Sequence, residues 1–475
     1  MTGETFVYRS RLPASASEAF AWHLRPGAFQ RLLPPWERAR VICDGQPLGE
    51  GARAEIDVAV GPFRRRWTAE HRDFEPGRRF RDVQIRGPFA RWEHTHTIEP
   101  AHTIEPDGAD ASWLEDRIEY ALPLGRVGHW LGRGFVRRKL QATFQYRHRT
   151  LADDLAAQRR ARDSQAGQSE SRAEAKSMRI VVTGSSGLVG SALLPLLTTG
   201  GHSVTRLVRR SRDGGPSVRW DPVLGTIDQE GLEGHDAFVH LAGESISSGR
   251  WNARVKKLIR DSRLNGTRLL CDAINRLQKP PKTLVCASAI GFYGDRGDEV
   301  LDERFAAGEG FLADVCKDWE AITESVRPRG IRVVNLRFGV VLSPAGGALA
   351  KMLTPFKLGL GGVIGSGRQY MSWIAIDDVI GAIQHAISNE ALNGPVNTVA
   401  PNPVTNRDFT KTLGRVLRRP TIFPVPAAVA RVALGEMADE LLLASTRVVP
   451  RRLQETGYAF RFPELESALR HVQGR

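Results

Sequence analysis

The sequence predicts two modules: an antiparallel α+β module first, then an α/β module built on a doubly wound parallel sheet. Three observations predict this. Residues 156–177 read AAQRRARDSQAGQSESRAEAKS, with no Leu, Ile, Val or aromatic residue. Such a stretch cannot bury enough apolar surface to offset its ordering entropy, so it is a linker or a solvated helix extension. Ahead of it, short alternating segments are punctuated by turn residues, the mark of an antiparallel sheet. After it, buried strands alternate with helices, which requires parallel pairing through crossovers. The expected boundaries are 1–155, a linker at 156–177, 178–400 for the sheet of the second module and 401–475 for a mostly helical cap.

Composition bounds the function classes. Apolar residues make up 41% and charged residues 25% of the 475 residues, the balance of a soluble globular protein. The most apolar long stretch, 426–443, is interrupted by Arg431, Glu436, Asp439 and Glu440, so no membrane span is expected. The opening MTGETFVYRS lacks an apolar core, so no secretory signal is expected. Cys43, Cys271, Cys286 and Cys316 stand far apart and read as reduced, mostly buried thiols of a cytoplasmic protein. The formal charge is +14, but the arginines are dispersed, with only short clusters such as Arg64–Arg66. No nucleic-acid partner is therefore expected. A positive field does favour anionic ligands, including a phosphorylated cofactor.

In the first module, Ser15 and Glu18 form a capping box ahead of Phe20 and Trp22. Strands are expected at 54–60, 67–74, 80–85, 92–98 and 113–120. From 127 to 155, Leu131, Phe135, Leu140, Phe144, Leu151 and Leu155 recur at helical spacing. One long helix across a curved sheet leaves a concave apolar space. A tandem duplication, HTIEPA at 96–101 and HTIEPD at 102–107, reads as a lengthened hairpin, because six residues preserve strand parity. A metal site from His94, His96 and His102 is not expected, since no carboxylate or cysteine completes it at ligand spacing.

The second module opens with the strand at 180–182, the loop Thr183-Gly184-Ser185-Ser186-Gly187-Leu188-Val189-Gly190 and a helix. Gly184 permits the tight turn, Gly187 lets a pyrophosphate approach, and Gly190 lets helix and strand pack closely. The helix N-terminus offers N–H groups to phosphates. At the end of the next strand stand Val208-Arg209-Arg210 instead of the acid that binds a ribose 2′-hydroxyl. An arginine there pairs with a 2′-phosphate, so the cofactor expected is NADP(H) rather than NAD(H).

TGSSGLVG, HLAGE, ASAIGFYGD, LRFGVVL and SWIAIDDV, in this order, resemble the extended short-chain dehydrogenase/reductase superfamily, with its Rossmann-type fold. RWNARVKKLIRDSR, FKLGLGGVIGSGRQYMSWIAIDD and GEMADELLLASTRVVPRRLQETGY resemble its atypical, epimerase-family branch, over about residues 178–475. The first module resembles the START-like, polyketide-cyclase-like helix-grip fold, over roughly 4–155, which implies an apolar ligand. The resemblance implies cofactor contacts from Gly184, Ser185, Ser186, Gly187, Leu188, Gly190, Val208, Arg209, Leu241, Ala242, Gly243, Arg263, Ser288 and Val341. It also implies that the glycine-rich loops at 359–362 and 365–367 close over a substrate.

Working members of the superfamily use a Tyr-x-x-x-Lys pair, and none of the six tyrosines here has a lysine four residues on. With Glu320 aligned to the acid that ends this helix, Leu312 stands for the tyrosine and Cys316 for the lysine. The residues left for catalysis are Ser288, bonding a substrate carbonyl, and Tyr293 or a water, supplying the proton. Two functions stay open: an NADP(H)-dependent oxidoreductase or epimerase-like enzyme on an unidentified small molecule, and a non-catalytic NADP(H)/ligand sensor acting through protein contacts.

Overall fold

The computed structural model describes residues 3–37, 39–60, 63–101, 110–166, 177–210, 215–247 and 249–475. They form two compact units, one built largely on the chain before Ser177 and one largely on the chain after it.

The first unit is a seven-stranded antiparallel sheet. Its successive strands are Ala39–Asp44, Arg53–Val60, Phe63–Glu75, Arg79–Arg86, Arg91–Pro100 and Ser112–Ala121, each paired with the next, and Glu4–Leu12 closes on the last. Period-two alternation sets its faces: in Arg91–Pro100, Trp92, His94, His96 and Ile98 are buried and their neighbours are not. Ser15 caps the helix Ala16–Leu24 with Glu18 reciprocating, as expected. The strand Ala39–Asp44 was not expected; its half-exposed, irregular pattern gives no alternation to read.

The helix Gly125–Ala166 carries Leu140, Phe144, Leu151 and Leu155 into two apolar clusters with Phe6, Leu12, Phe20, Trp92 and Ile118. Leu131 and Phe135 share the helical spacing yet are exposed, so apolar periodicity extends beyond the packed part of this helix. The helix also runs through Ala166, so the first half of the polar segment is a helix extension. Residues 167–176 lie outside the described residues, as does the whole second HTIEP repeat with His102.

Between sheet and helices lies a cavity of about 140 Å³. The expected apolar lining is only half right. Leu32, Ile56, Trp67 and Trp92 line it, but so do His71, Asp82, His94, His96 and Arg147. The expectation that no carboxylate accompanies His94 and His96 is also corrected. Asp82, on the neighbouring strand, sits directly opposite His94 in the register.

The second unit is an eight-stranded sheet. Its order is Thr226–Ile227, Ser217–Asp221, Ser203–Val208, Arg179–Thr183, Ala237–His240, Thr283–Ala289, Arg332–Phe338, Gly394–Thr398, and only the first pairing is antiparallel. Continuous burial of Ile180–Thr183, Ala237–His240 and Thr283–Ser288 marks strands covered on both faces. Chain order reverses between Arg179–Thr183 and Ala237–His240. That reversal is the switch point at which doubly wound sheets open a crevice at their strand ends.

Beyond residue 400 the chain forms the helices Asn406–Leu417, Ala427–Leu434, Arg451–Glu455 and Leu465–Gln473. Asp378 holds the segment 458–462: its carboxylate accepts from the backbone N–H of Arg461 (2.8 Å) and Phe462 (3.0 Å) and from the Tyr458 hydroxyl (3.1 Å). Trp373 is fully buried and donates its indole N–H to the Asn402 carbonyl. Cys271, Cys286 and Cys316 are buried free thiols, and Cys43 is exposed. Among the described residues, no helix is long and apolar enough to cross a membrane.

Candidate cofactor and active site

The crevice is built from the glycine loop upward. Gly184 turns the chain out of its strand at φ +65°, a left-handed conformation that a side chain disfavours. A Cβ on it would stand 2.7 Å from the Leu241 carbonyl. Gly190, in the first turn of the helix Leu188–Thr199, packs so closely that a Cβ would lie 2.2 Å from the Gly184 oxygen. The loop therefore folds onto itself and onto the end of the neighbouring strand. Ser186 and Gly187 are exposed at its rim and Ser185 is buried beneath it. Leu188 packs against Gly346 and Gly347, just past the strand Val340–Leu342 that holds half-buried Val341.

A clasp not anticipated from the sequence joins the two strand ends at the switch point. Thr183 Oγ1 accepts from the backbone N–H of Leu241 (3.0 Å) and Ala242 (3.2 Å), and stands 2.8 Å from His240 Nδ1. With both lone pairs used, the hydroxyl donates to Nδ1. The imidazole then carries its proton on Nε2 and donates to Thr267 Oγ1 at 3.0 Å. Thr267 in turn accepts the Trp319 indole N–H and donates to the Arg263 carbonyl. Burial pushes His240 down to about 4, so it is the neutral ring this chain of bonds requires. The available signal was a threonine closing one strand and a histidine closing its neighbour, but only the parallel register Thr183↔His240 makes them partners.

Val208 ends its strand half-buried, and Arg209 and Arg210 follow it exposed. Arg263, on the helix Ala253–Arg276 capped by Asn252, bonds the Glu244 and Ile259 carbonyls and lies over the Trp319 ring. Its guanidinium also packs against Gly243, where a Cβ would meet Cζ at 3.4 Å. Leu241, Ala242, Gly243 and Arg263 thus share one edge of the crevice.

Ser288 and Tyr293 part company. Ser288, buried at the end of Thr283–Ala289, donates to Glu320 Oε1 at 2.6 Å. Glu320 is held by the two-pronged fork of Arg337, at 2.9 and 2.8 Å. Arg337 lies directly opposite Ser288 in the sheet. Tyr293 is fully buried. Its hydroxyl accepts from Arg337 Nη1 (2.9 Å) and reaches Asn397 Oδ1 (2.8 Å) and the Asp302 carbonyl (3.0 Å), and burial raises its pKa. The expectation that Tyr293 supplies a proton is corrected: no face of it meets solvent, and its hydroxyl is spent on bracing Arg337. Leu312 and Cys316 are buried on one face of the helix Phe311–Thr323, and burial pushes the thiol up to about 11. They offer no replacement acid at the crevice. The glycine-rich loops have a packing role. Gly362 abuts the Phe423 carbonyl so closely that a Cβ would overlap it, and Gly365 N–H donates to Val425.

Comparison with known proteins agrees with this geometry. Residues 180–399 match the NAD dependent epimerase/dehydratase family, 12–145 match polyketide cyclase / dehydrase and lipid transport, and 425–472 match a domain of unknown function. The epimerase family protein Mb2239 of Mycobacterium bovis is 44% identical over 296 residues, 62% of this chain and 98% of that protein. A crystal structure of a nucleoside-diphosphate sugar epimerase from Corynebacterium glutamicum is 33% identical, with TM-score 0.78. The match covers 99% of this chain and 90% of that one. The human epimerase family protein SDR39U1, solved with NADPH, is 39% identical with TM-score 0.58, over 62% of this chain and 99% of that one. With its switch-point crevice, its glycine loop and these relatives, the chain belongs to the epimerase family and carries a polyketide-cyclase-like module ahead of the Rossmann unit.

Proposed function

We propose that the chain binds NADP(H) in the switch-point crevice and works as an oxidoreductase or epimerase-like enzyme on a small molecule. The observation that carries this reading is the close fit of Gly184 to the Leu241–Ala242 backbone and of Gly190 to Gly184 and Ser185. It leaves a helix N-terminus facing an open rim, the shape a pyrophosphate needs. Residues 184–190 would hold that pyrophosphate. Val208 and Arg209 would hold the adenosine end, with Arg209 on the 2′-phosphate. Leu241, Ala242, Gly243 and Arg263 would form the edge, and Ser288 and Val341 the floor toward the nicotinamide. The human relative bound to NADPH supports the same choice of cofactor.

Bound there, the cofactor supplies hydride exchange at its nicotinamide ring. Ser288, its one proton given to Glu320, cannot bond a carbonyl. It instead orients a substrate hydroxyl by accepting from it, with Glu320 and Arg337 fixing its rotamer, and a water exchanges the proton that Tyr293 is too buried to handle. The polyketide-cyclase-like module, within 1–155, would bind a second small molecule, and 401–475 would cap the 178–400 unit. Buried Leu312 and Cys316, standing where the acid pair is expected, favour a second reading, a sensor that binds NADP(H) without turnover.

Calorimetric titration with NADPH and NADH in one buffer tests the proposal. NADPH should bind more tightly, and Arg209→Asp should weaken it by roughly 10- to 100-fold, the worth of a charge-assisted contact, while leaving NADH nearly unchanged. Equal affinities for the two cofactors would overturn the role of Arg209. Binding of NADPH without its oxidation by any carbonyl compound would favour the sensor.

A further inference from the structure

The histidines of the first unit converge as the strand register dictates. His71, Asp82 and His94 stand opposite one another on three adjacent strands, and His96 follows His94 on the same face. Asp82 Oδ2 lies 3.7 Å from His94 Nδ1 and 3.3 Å from His96 Nε2, and all three ligand atoms fall within 4.8 Å of one another. Two ligands about 2.05 Å from a tetrahedral centre stand about 3.3 Å apart, so these separations admit one ion, which would take the place of the hydrogen bond between His96 Nε2 and Asp82 Oδ2.

The far nitrogen of each ring faces one carboxylate, through a hydrogen bond at His94 and a close ion-pair contact at His96. His94 Nε2 and His96 Nδ1 lie 2.9 and 2.7 Å from the same oxygen, Asp116 Oδ1. The other oxygen of Asp116 is held by His148 at 2.6 Å. A carboxylate that fixes the outer nitrogen of an imidazole, leaving the inner one as a lone-pair donor, is how metal-binding histidines are oriented. A second observation stands beside this: buried His71 Nδ1 and Asp82 Oδ1 face each other at 2.5 Å without forming a hydrogen bond, while His71 Nε2 lies on the far side of the ring toward Gly45. Unpartnered buried nitrogens are costly unless something fills their place.

We infer that this cavity is a divalent transition-metal site, with His94, His96 and Asp82 as ligands and one coordination position open toward Trp67 and Trp92. His71 steadies Asp82 or becomes the fourth donor. Imidazole and carboxylate together suit zinc, and three protein ligands facing a cavity leave room for a water or an anionic oxygen of a bound molecule. Arg147, which also lines the cavity, supplies a cation for such an anion.

The test uses full-length, untagged protein, stripped with a chelator and titrated with zinc(II), then with cobalt(II) as the spectroscopic probe. One ion per chain, the intense visible bands of tetrahedral cobalt and a rise in melting temperature are expected. His96→Ala should abolish the bands, and Asp116→Asn should weaken zinc binding about 10- to 100-fold while keeping the same spectrum. Circular dichroism reports whether each variant is folded. Failure of wild-type protein to take up one ion would overturn the inference, as would cobalt bands that survive in folded His96→Ala. Neither outcome touches the NADP(H) proposal, which is read by nucleotide titration.

Discussion

His240 shows how one side chain ties a crevice to the core. It is fully buried and accepts from Thr183 on one nitrogen while donating to Thr267 from the other. A second proton would aim an N–H at a Thr183 oxygen that already accepts from Leu241 and Ala242, and the clasp would open. The imidazole titrates near 6.5 when unfolded and about 4 when folded, so the unfolded chain takes up the proton first. Its stabilising contribution is complete above about pH 6.5 and is lost as the pH falls through about 4, up to about 3 kcal/mol. Urea unfolding midpoints measured across this range should fall with acidity in the wild type and fall less in His240→Gln. Half-buried His385, also pushed down to about 4, keeps some of the slope in that variant. Tyr293 makes the opposite point. A tyrosine just beyond a strand end in a nucleotide-binding unit invites a catalytic reading, but its exposure depends on Asn397, Asp302 and Arg337, which arrive from elsewhere in the chain.

At the scale of elements, the strand–loop–helix unit at 179–199 is the part whose failure is easiest to read. Gly190→Ala would push a Cβ into the Gly184 oxygen and the Ser185 Cα, so the helix must move off the strand end. We expect NADPH affinity to drop at least tenfold, with melting temperature lowered by a few degrees for a loss of about 1–3 kcal/mol. Unchanged affinity in the calorimeter would show that this packing does not shape the site. The strand–helix alternation of this unit was legible because parallel strands are continuously apolar. The strand Ser203–Val208 lies between the glycines at 200–201 and the exposed arginine pair Arg209–Arg210. Ser217–Asp221 and Gly394–Thr398 were not legible: one alternates with charge at a sheet edge, and the other contains Gly394 and Pro395. Strand Arg91–Pro100 was legible, but its most consequential feature, two histidines aimed at a neighbour's aspartate, was not.

For the whole molecule, the formal charge of +14 raises the question of a polyanion partner. Much of the arginine is engaged locally: Arg66 with Asp57 and Glu55, Arg91 with Glu93 and Glu119, Arg470 with Glu466. Such pairs turn excess charge into a mottled surface rather than a stripe. Binding to duplex DNA should therefore be weak, and fluorescence anisotropy should show it vanishing by about physiological salt, where the screening length is about 8 Å. Tight binding that persists at that salt would reinstate a nucleic-acid role. The sequence by itself determined the two-module plan, the helix cap at Ser15, the glycine loop and the absence of the tyrosine–lysine pair. Each of these is written in local periodicity or in spacing along the chain. Only the tertiary structure decided that Tyr293 is a buried brace, that Ser288 is tied to Glu320 and Arg337, that His240 locks Thr183, and that Asp82 joins His94 and His96. In each case the partners lie on different strands or helices, and strand register rather than sequence distance determines what a buried polar atom meets.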